Sequence, residues 1–223
     1  GLTNSFPAGV MAEVKSVPPE VTDKEISGRV DLRPRTIVTI DGETARDFDD
    51  AVSIEKTPSG YTLWVSIADV SHYVKEGSAI DAEAYERSTS VYFPDRAIPM
   101  LPEALSSGIC SLNPRVDRLT MTAEIDFDHD GRPGKKKFYE SVIKSVERMT
   151  YTNVKKLIDG SDAELNSRYN HILPDIKLMA ELAKKLTARR FEQGSIDFDL
   201  PEPQIIIDLN GKVEDIVRSE RNE

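Results

Sequence analysis

The sequence predicts an α+β fold: a mostly antiparallel sheet or open barrel with helices packed on it. Three observations carry this expectation. Runs rich in Val, Ile and Thr with a two-residue period recur from residue 36 onward. A single long stretch, residues 174–193, switches to the 3.6-residue period of an amphipathic helix. Between these segments, prolines, glycines and aspartates supply turn chemistry at short intervals.

Taken in order, residues 1–34 read as a connecting segment. Pro7, Pro18, Pro19 and Pro34 punctuate two short helical stretches, FPAGVMAEVKSV and TDKEISGRV. Thr22 is placed to cap the second, with Glu25 three residues on completing a capping box. Residues 36–40 form the first strand. Residues 51–54 and 61–67 form the next two, turned at Pro58, Ser59 and Gly60. Residues 78–90 are expected to be helical. Three prolines make residues 91–102 extended and exclude a helix. Residues 119–127 and 136–143 make a hairpin around Asp130 and Gly131, and Thr152 is expected to cap a short helix ending at Gly160. In the long helix, Ile176, Met179, Leu182 and Leu186 share one face, and Gly194 marks its stop. Strands resume near residues 204–207 and after Gly211.

Composition narrows the class. Of 223 residues, 39% are hydrophobic and 30% charged, which excludes a mainly disordered chain. No run approaches the roughly 18 apolar residues of a membrane span. No secretion signal is apparent, and the one cysteine, Cys110, permits no internal disulfide. A reducing cytoplasm is the simplest setting. Cys110 reads as a buried small hydrophobe, not a nucleophile. The net charge of −10 opposes non-specific binding to a phosphate backbone. Lys135–Lys137, Lys184–Lys185 and Arg189–Arg190 are local exceptions, and they read first as solvated faces.

The chemistry concentrates in TIDGETARDFDDA, which places Asp41, Asp47, Asp49 and Asp50 within ten positions between two apolar strands. Two readings fit that spacing: a solvated acidic loop, or a metal site. The flanking strands anchor the loop near the core, and Phe48 must bury its ring among the acids. Two carboxylates about 4 Å apart repel by roughly 4 kcal/mol at an effective dielectric near 20. Such a group is therefore expected to protonate partly or to take a cation, and hard ions such as Mg²⁺ favour carboxylate oxygen. A rival, DFDHDG at residues 126–131, begins like a calcium loop. Its twelfth position is Lys137, and strands flank it, so it reads as a hairpin turn. His72, His129 and His171 have no metal-ligand spacing.

TIDGETARDFDDA, VYFPDRAIPMLPEALSSGICSLNPRVDRL and KFYESVIKSVERMTYTNV together resemble the ribonuclease II/R family of exoribonucleases, nearest its ribonuclease R branch. The resemblance runs from about residue 25 to residue 223. It implies that residues 35–223 are the N-terminal portion of that family's catalytic RNB domain, and that residues 1–34 link it to a preceding cold-shock-type domain. It implies a processive 3′→5′ hydrolytic activity that uses Mg²⁺, acts on the 3′ end of single-stranded RNA and releases nucleoside 5′-monophosphates. No obligate protein partner is implied. By motif position, Asp41, Asp47, Asp49 and Asp50 correspond to the four active-site aspartates. Asp41 and Asp50 are the expected direct metal contacts, and Asp49 is the residue whose loss is expected to cost most activity. Tyr92 corresponds to an aromatic packed against RNA near the cleaved end, and Phe198 to one stacking on the other side. The family's domain continues with a further arginine and glutamate at the active site and then an S1 domain. Activity is therefore expected of the longer protein, and an inactive RNA-binding module is the alternative for this chain alone.

Overall fold

Seven strands assemble into one mixed sheet, and two of them, neighbours in it, flank the acidic motif. The computed structural model describes residues 3–94, 96–196, 203–208 and 212–218. The chain runs through helices α1 (Ala8–Val14) and α2 (Asp23–Ile26), then strands β1 (Val30–Asp31), β2 (Val38–Asp41), β3 (Asp50–Thr57) and β4 (Gly60–Ala68). Helices α3 (Val70–Tyr73) and α4 (Ala79–Arg87) precede the small hairpin β5 (Val91–Tyr92) and β6 (Ala97–Ile98) and a kinked helical turn, Ala104–Ile109. The long hairpin β7 (Asp117–Asp128) and β8 (Pro133–Lys144) leads into β9 (Glu147–Thr150). Helices α5 (Tyr151–Asp159), α6 (Ala163–Arg168) and α7 (Leu173–Glu192) follow, and β10 (Pro203–Ile207) and β11 (Val213–Arg218) form a separate antiparallel pair.

The sheet order is β1-β8-β7-β4-β3-β2-β9. Only the two edges are parallel, β1 on β8 and β2 on β9, so the sheet is mostly antiparallel and open, with no closed barrel. The expected β-hairpins form, β3–β4 in unbroken register and β7–β8 with a register shift between Ile125 and Phe127 near its turn. Gly60 sits at φ 144°, where an added Cβ would fall 2.1 Å from the Phe127 carbonyl oxygen, so only glycine fits.

Burial divides along the sheet. Leu32, Ile37, Phe48, Ala51, Trp64, Leu112 and Ile143 make the central core. Helix α7 lays Leu182, with Leu178, Met179 and Leu186, over Ile54, Tyr61 and Phe127, as its predicted stripe requires. Ile176 joins Val38, Met149 and Leu157 in a second helical cluster beneath β2 and β9. Cys110 is buried among apolar side chains, and that burial pushes its thiol up to about 12.

Residues 8–31 pack onto this body. Val10 and Val14 are buried against Ile80, Leu101 and Leu105. The Glu13 carboxylate accepts from the N–H groups of Ala79 (2.8 Å) and Ile80 (3.0 Å), capping α4. Arg29 pairs with Asp69 at 2.6 Å, both side chains buried. Two local expectations are corrected. The helix expected over 22–30 ends at Ile26, because Gly28 turns left-handed (φ 87°) and Val30 enters a strand. The cap of α5 is Thr150, whose Oγ1 accepts from Asn153 N–H at 3.1 Å; Thr152 already lies within the helix.

Candidate active site

Asp41 ends β2 and Asp50 opens β3, and these strands are antiparallel neighbours, paired at Val38 and Val52. The sheet thus brings both ends of the acidic loop to one edge of the fold. Phe48 buries its ring in the central core with 6% of its surface left exposed. Its N–H donates to Ser111 Oγ (3.0 Å), Ser111 Oγ donates to the Arg46 carbonyl (3.1 Å), and Leu112 N–H donates to the Phe48 carbonyl (2.9 Å). The segment holding Ser111 is itself fixed by buried Arg118, whose Nε donates to the Ser111 carbonyl at 2.7 Å. Ala68 N–H donates to the Asp49 carbonyl (2.8 Å). A buried ring between flanking acids leaves their carboxyls at the surface above the core.

The start of the loop has its own anchor. Arg148 Nη2, from β9, donates to the carbonyls of Gly42 (2.5 Å) and Glu43 (3.0 Å). The hydroxyls of Thr152 and Thr150, at the first turn of α5, hold the Glu43 carboxyl below its usual range.

The electrostatics are those of like charges held together. Burial pushes the Asp41 carboxyl up, the Asp50 charge adds to this, Arg148 opposes it, and Asp49 and Asp47 add further. Asp49 is open to solvent on one side, yet the surrounding protein, with Asp47 and Asp50, pushes its carboxyl up as well. Asp41 Oδ2 is buried with no hydrogen-bond donor. The Tyr92 hydroxyl donates to Asp47 Oδ2 at 3.1 Å, while 69% of that residue stays exposed. Burial and then the Asp47 charge raise its phenol. Phe93 beside it is 37% exposed.

The four aspartates and Tyr92 therefore form one electrostatic neighbourhood. Among the described residues, no three Asp, Glu, His or Cys side chains stand close enough together to hold a metal ion as they are placed. Phe198 lies outside the described residues. The turn at 126–131 is the expected hairpin: Asp128 Oδ1 accepts from Asp130 N–H (2.9 Å) and Arg132 N–H (2.8 Å). His72 is engaged by Glu25 at 3.0 Å. Sequence reasoning did not find Ser111 or Arg148. Each reaches the loop across more than sixty residues, and although both lie in segments that carry the family resemblance, neither has a spacing that marks its contact.

A mixed sheet presents clustered aspartates beside an exposed tyrosine at one edge of the fold. Comparison decides the class. The model of the RNB domain matches residues 29–223, and the chain belongs to the RNB family. Within the family it is 47% identical to ribonuclease R of Aquifex aeolicus over 222 residues, covering 99% of this chain and 31% of that protein. It is 45% identical to ribonuclease R of Escherichia coli K12, covering 98% of this chain and 27% of that protein. A solved structure of Mycoplasma genitalium RNase R in complex with ribose-methylated single-stranded RNA superposes with a TM-score of 0.89 at 31% identity, over 98% of this chain and 34% of that one. The chain thus spans about a third or less of these relatives. Among its described residues, no helix is long and apolar enough to cross a membrane.

Proposed function

We propose that this chain supplies the catalytic aspartates of a Mg²⁺-dependent, processive 3′→5′ exoribonuclease that hydrolyses single-stranded RNA to nucleoside 5′-monophosphates. One observation carries the reading: Asp41 keeps a buried oxygen with no donor, and burial, with the neighbouring aspartate charges adding to it, raises the carboxyls of Asp41 and Asp49. That is an unmet demand for positive charge, offered entirely by hard oxygen ligands.

The chemistry of the donor set suits a hard divalent ion, which Asp41 and Asp50 would hold directly while Asp47 and Asp49 would complete the acidic field. When bound, Mg²⁺ supplies an activated water and charge stabilisation at the scissile phosphate. The chain's own residues do the rest. Tyr92 fixes Asp47 through its hydroxyl and offers its exposed ring face to the terminal nucleotide, a contact worth about 1–3 kcal/mol that tolerates any base. Phe198 is proposed as the opposite stacking face. Phe48, bolted down by Ser111, keeps the acids from relaxing outward into water. The RNA-bound RNase R of M. genitalium, to which this fold is so similar, supports the choice of ligand.

A second reading, an RNA-binding module without catalysis, is favoured by the absence, among the described residues, of three such side chains placed to hold a metal ion. Incubating this chain and the longer parent protein with 3′-labelled single-stranded RNA and Mg²⁺ separates the two. The parent is expected to release mononucleotides, and its Asp49→Asn variant to lose about 10³-fold in turnover while still binding RNA. Undiminished mononucleotide release by that variant would overturn the assignment.

A further inference from the structure

Arg148 faces the acidic loop from β9, four residues of which run parallel to β2 and place Arg148 opposite Thr39 and Thr150 opposite Asp41. A cation beside four aspartates has an obvious reading as a counter-charge. The geometry says more. Its Nη2 is spent on two main-chain carbonyls, those of Gly42 and Glu43, rather than on any carboxylate. Its guanidinium carbon lies 5.5 Å from the centre of the Phe48 ring, at the other end of the same loop. Its Nε is buried without an acceptor, so the side chain gives up solvation to sit there. One planar group therefore spans both ends of the segment that displays the aspartates, and the Glu43 carboxyl on the first turn of α5 fixes the same end independently.

We propose that Arg148 is a positioning residue: it clamps the backbone at Gly42 and Glu43 so that Asp41 and the 47–50 acids face one another in a cation-competent arrangement. The inference rests on the metal-dependent reading of the site. Clamp and counter-charge make opposite predictions. As a mere counter-charge, Arg148 competes with a metal cation, so removing it tightens metal binding. As a clamp, its removal frees the loop and loosens metal binding. Lysine keeps the charge but lacks the planar fork that reaches two carbonyls and lies along a ring.

The test uses the intact chain and its Arg148→Lys and Arg148→Gln variants in two measurements: Mn²⁺ affinity by titration, and hydrogen–deuterium exchange of the loop amides. Both variants are expected to exchange faster at residues 43–48 by about tenfold, the scale of one lost charged hydrogen bond, and to bind Mn²⁺ about tenfold more weakly. Exchange in the β3–β4 ladder should not change, which separates a local release from general unfolding. Should Arg148→Gln fail to fold, Arg148→Lys carries the test. Tighter Mn²⁺ binding by Arg148→Gln, wild-type behaviour of Arg148→Lys, or unchanged loop exchange would each overturn the clamp. Asp49→Asn is titrated alongside. If wild type and Asp49→Asn bind Mn²⁺ equally poorly, the metal reading fails, and the exchange measurement still decides the clamp.

Discussion

The hairpin turn at 126–131 and the loop at 41–50 are both crowded with aspartate, and they satisfy it in opposite ways. In the turn, Asp128 takes two backbone N–H groups and Asp126 takes the Thr62 hydroxyl at 2.8 Å. The hydrogen bonds from Arg132 and Asp130 hold the Asp128 carboxyl below its usual range. In the loop, burial and neighbouring charge raise Asp41 and Asp49, and one oxygen of Asp41 meets no donor. Acid density is common to both. What distinguishes the loop is that the protein anchors its backbone but leaves a buried oxygen of Asp41 without a donor.

The widest gap between the two regions should appear in catalysis. In the longer parent protein, Asp41→Asn is expected to lower turnover on labelled single-stranded RNA by about 10³-fold, whereas Asp128→Asn stays within about twofold of wild type. Metal linkage follows. With Mg²⁺ at 100 times its dissociation constant, the wild-type chain should gain about 2.7 kcal/mol in a melting or denaturant titration. That gain should vanish in Asp41→Asn and survive in Asp128→Asn. Next comes the tyrosine that touches the loop. Tyr92→Ala should weaken RNA binding by about 1–3 kcal/mol, measured by fluorescence anisotropy, while Tyr92→Phe keeps the ring and most of the affinity.

The smallest effect is the most diagnostic one, and it needs no metal. A carboxyl raised in the folded state costs stability at neutral pH, and that cost is relieved as pH falls through its folded range. A depressed carboxyl adds stability at neutral pH, and loses it as pH falls through its own lower folded range. Metal-free Asp41→Asn should therefore melt above wild type at pH 7, and Asp128→Asn below it. Both differences should fade on acidification, and equal shifts of the same sign would erase the contrast between turn and loop.

Much of this was legible in the sequence, for identifiable reasons. The hairpins β3–β4 and β7–β8 announce themselves because alternation and turn residues are local signals. Helix α7 does so because its stripe has somewhere to go, onto Ile54 and Phe127. The short edge strands do not. Neither β1, two residues, nor β9, four, has room for a periodic pattern, and each pairs in parallel with a strand about a hundred residues away. The site divides the same way. Spacing picked out the aspartates as a cluster, and the resemblance to the family pointed to Tyr92, which the fold places against Asp47. Neither signal reached Ser111 or Arg148, because their roles are set by register across the sheet and by which carbonyls the fold leaves within reach.

The docking of the first turns of chain has a practical side. The family match begins at residue 29, but the helix leading to Tyr92 relies on residues ahead of that boundary. Glu13 terminates its amides, and Arg87 at its far end donates to the carbonyls of Thr3 (3.0 Å) and Ser5 (2.8 Å). Trimming a recombinant version to the homology limit would strip both ends of that helix. It would also expose Ile80 and Leu105, so expression work is better served by starting upstream of Thr3.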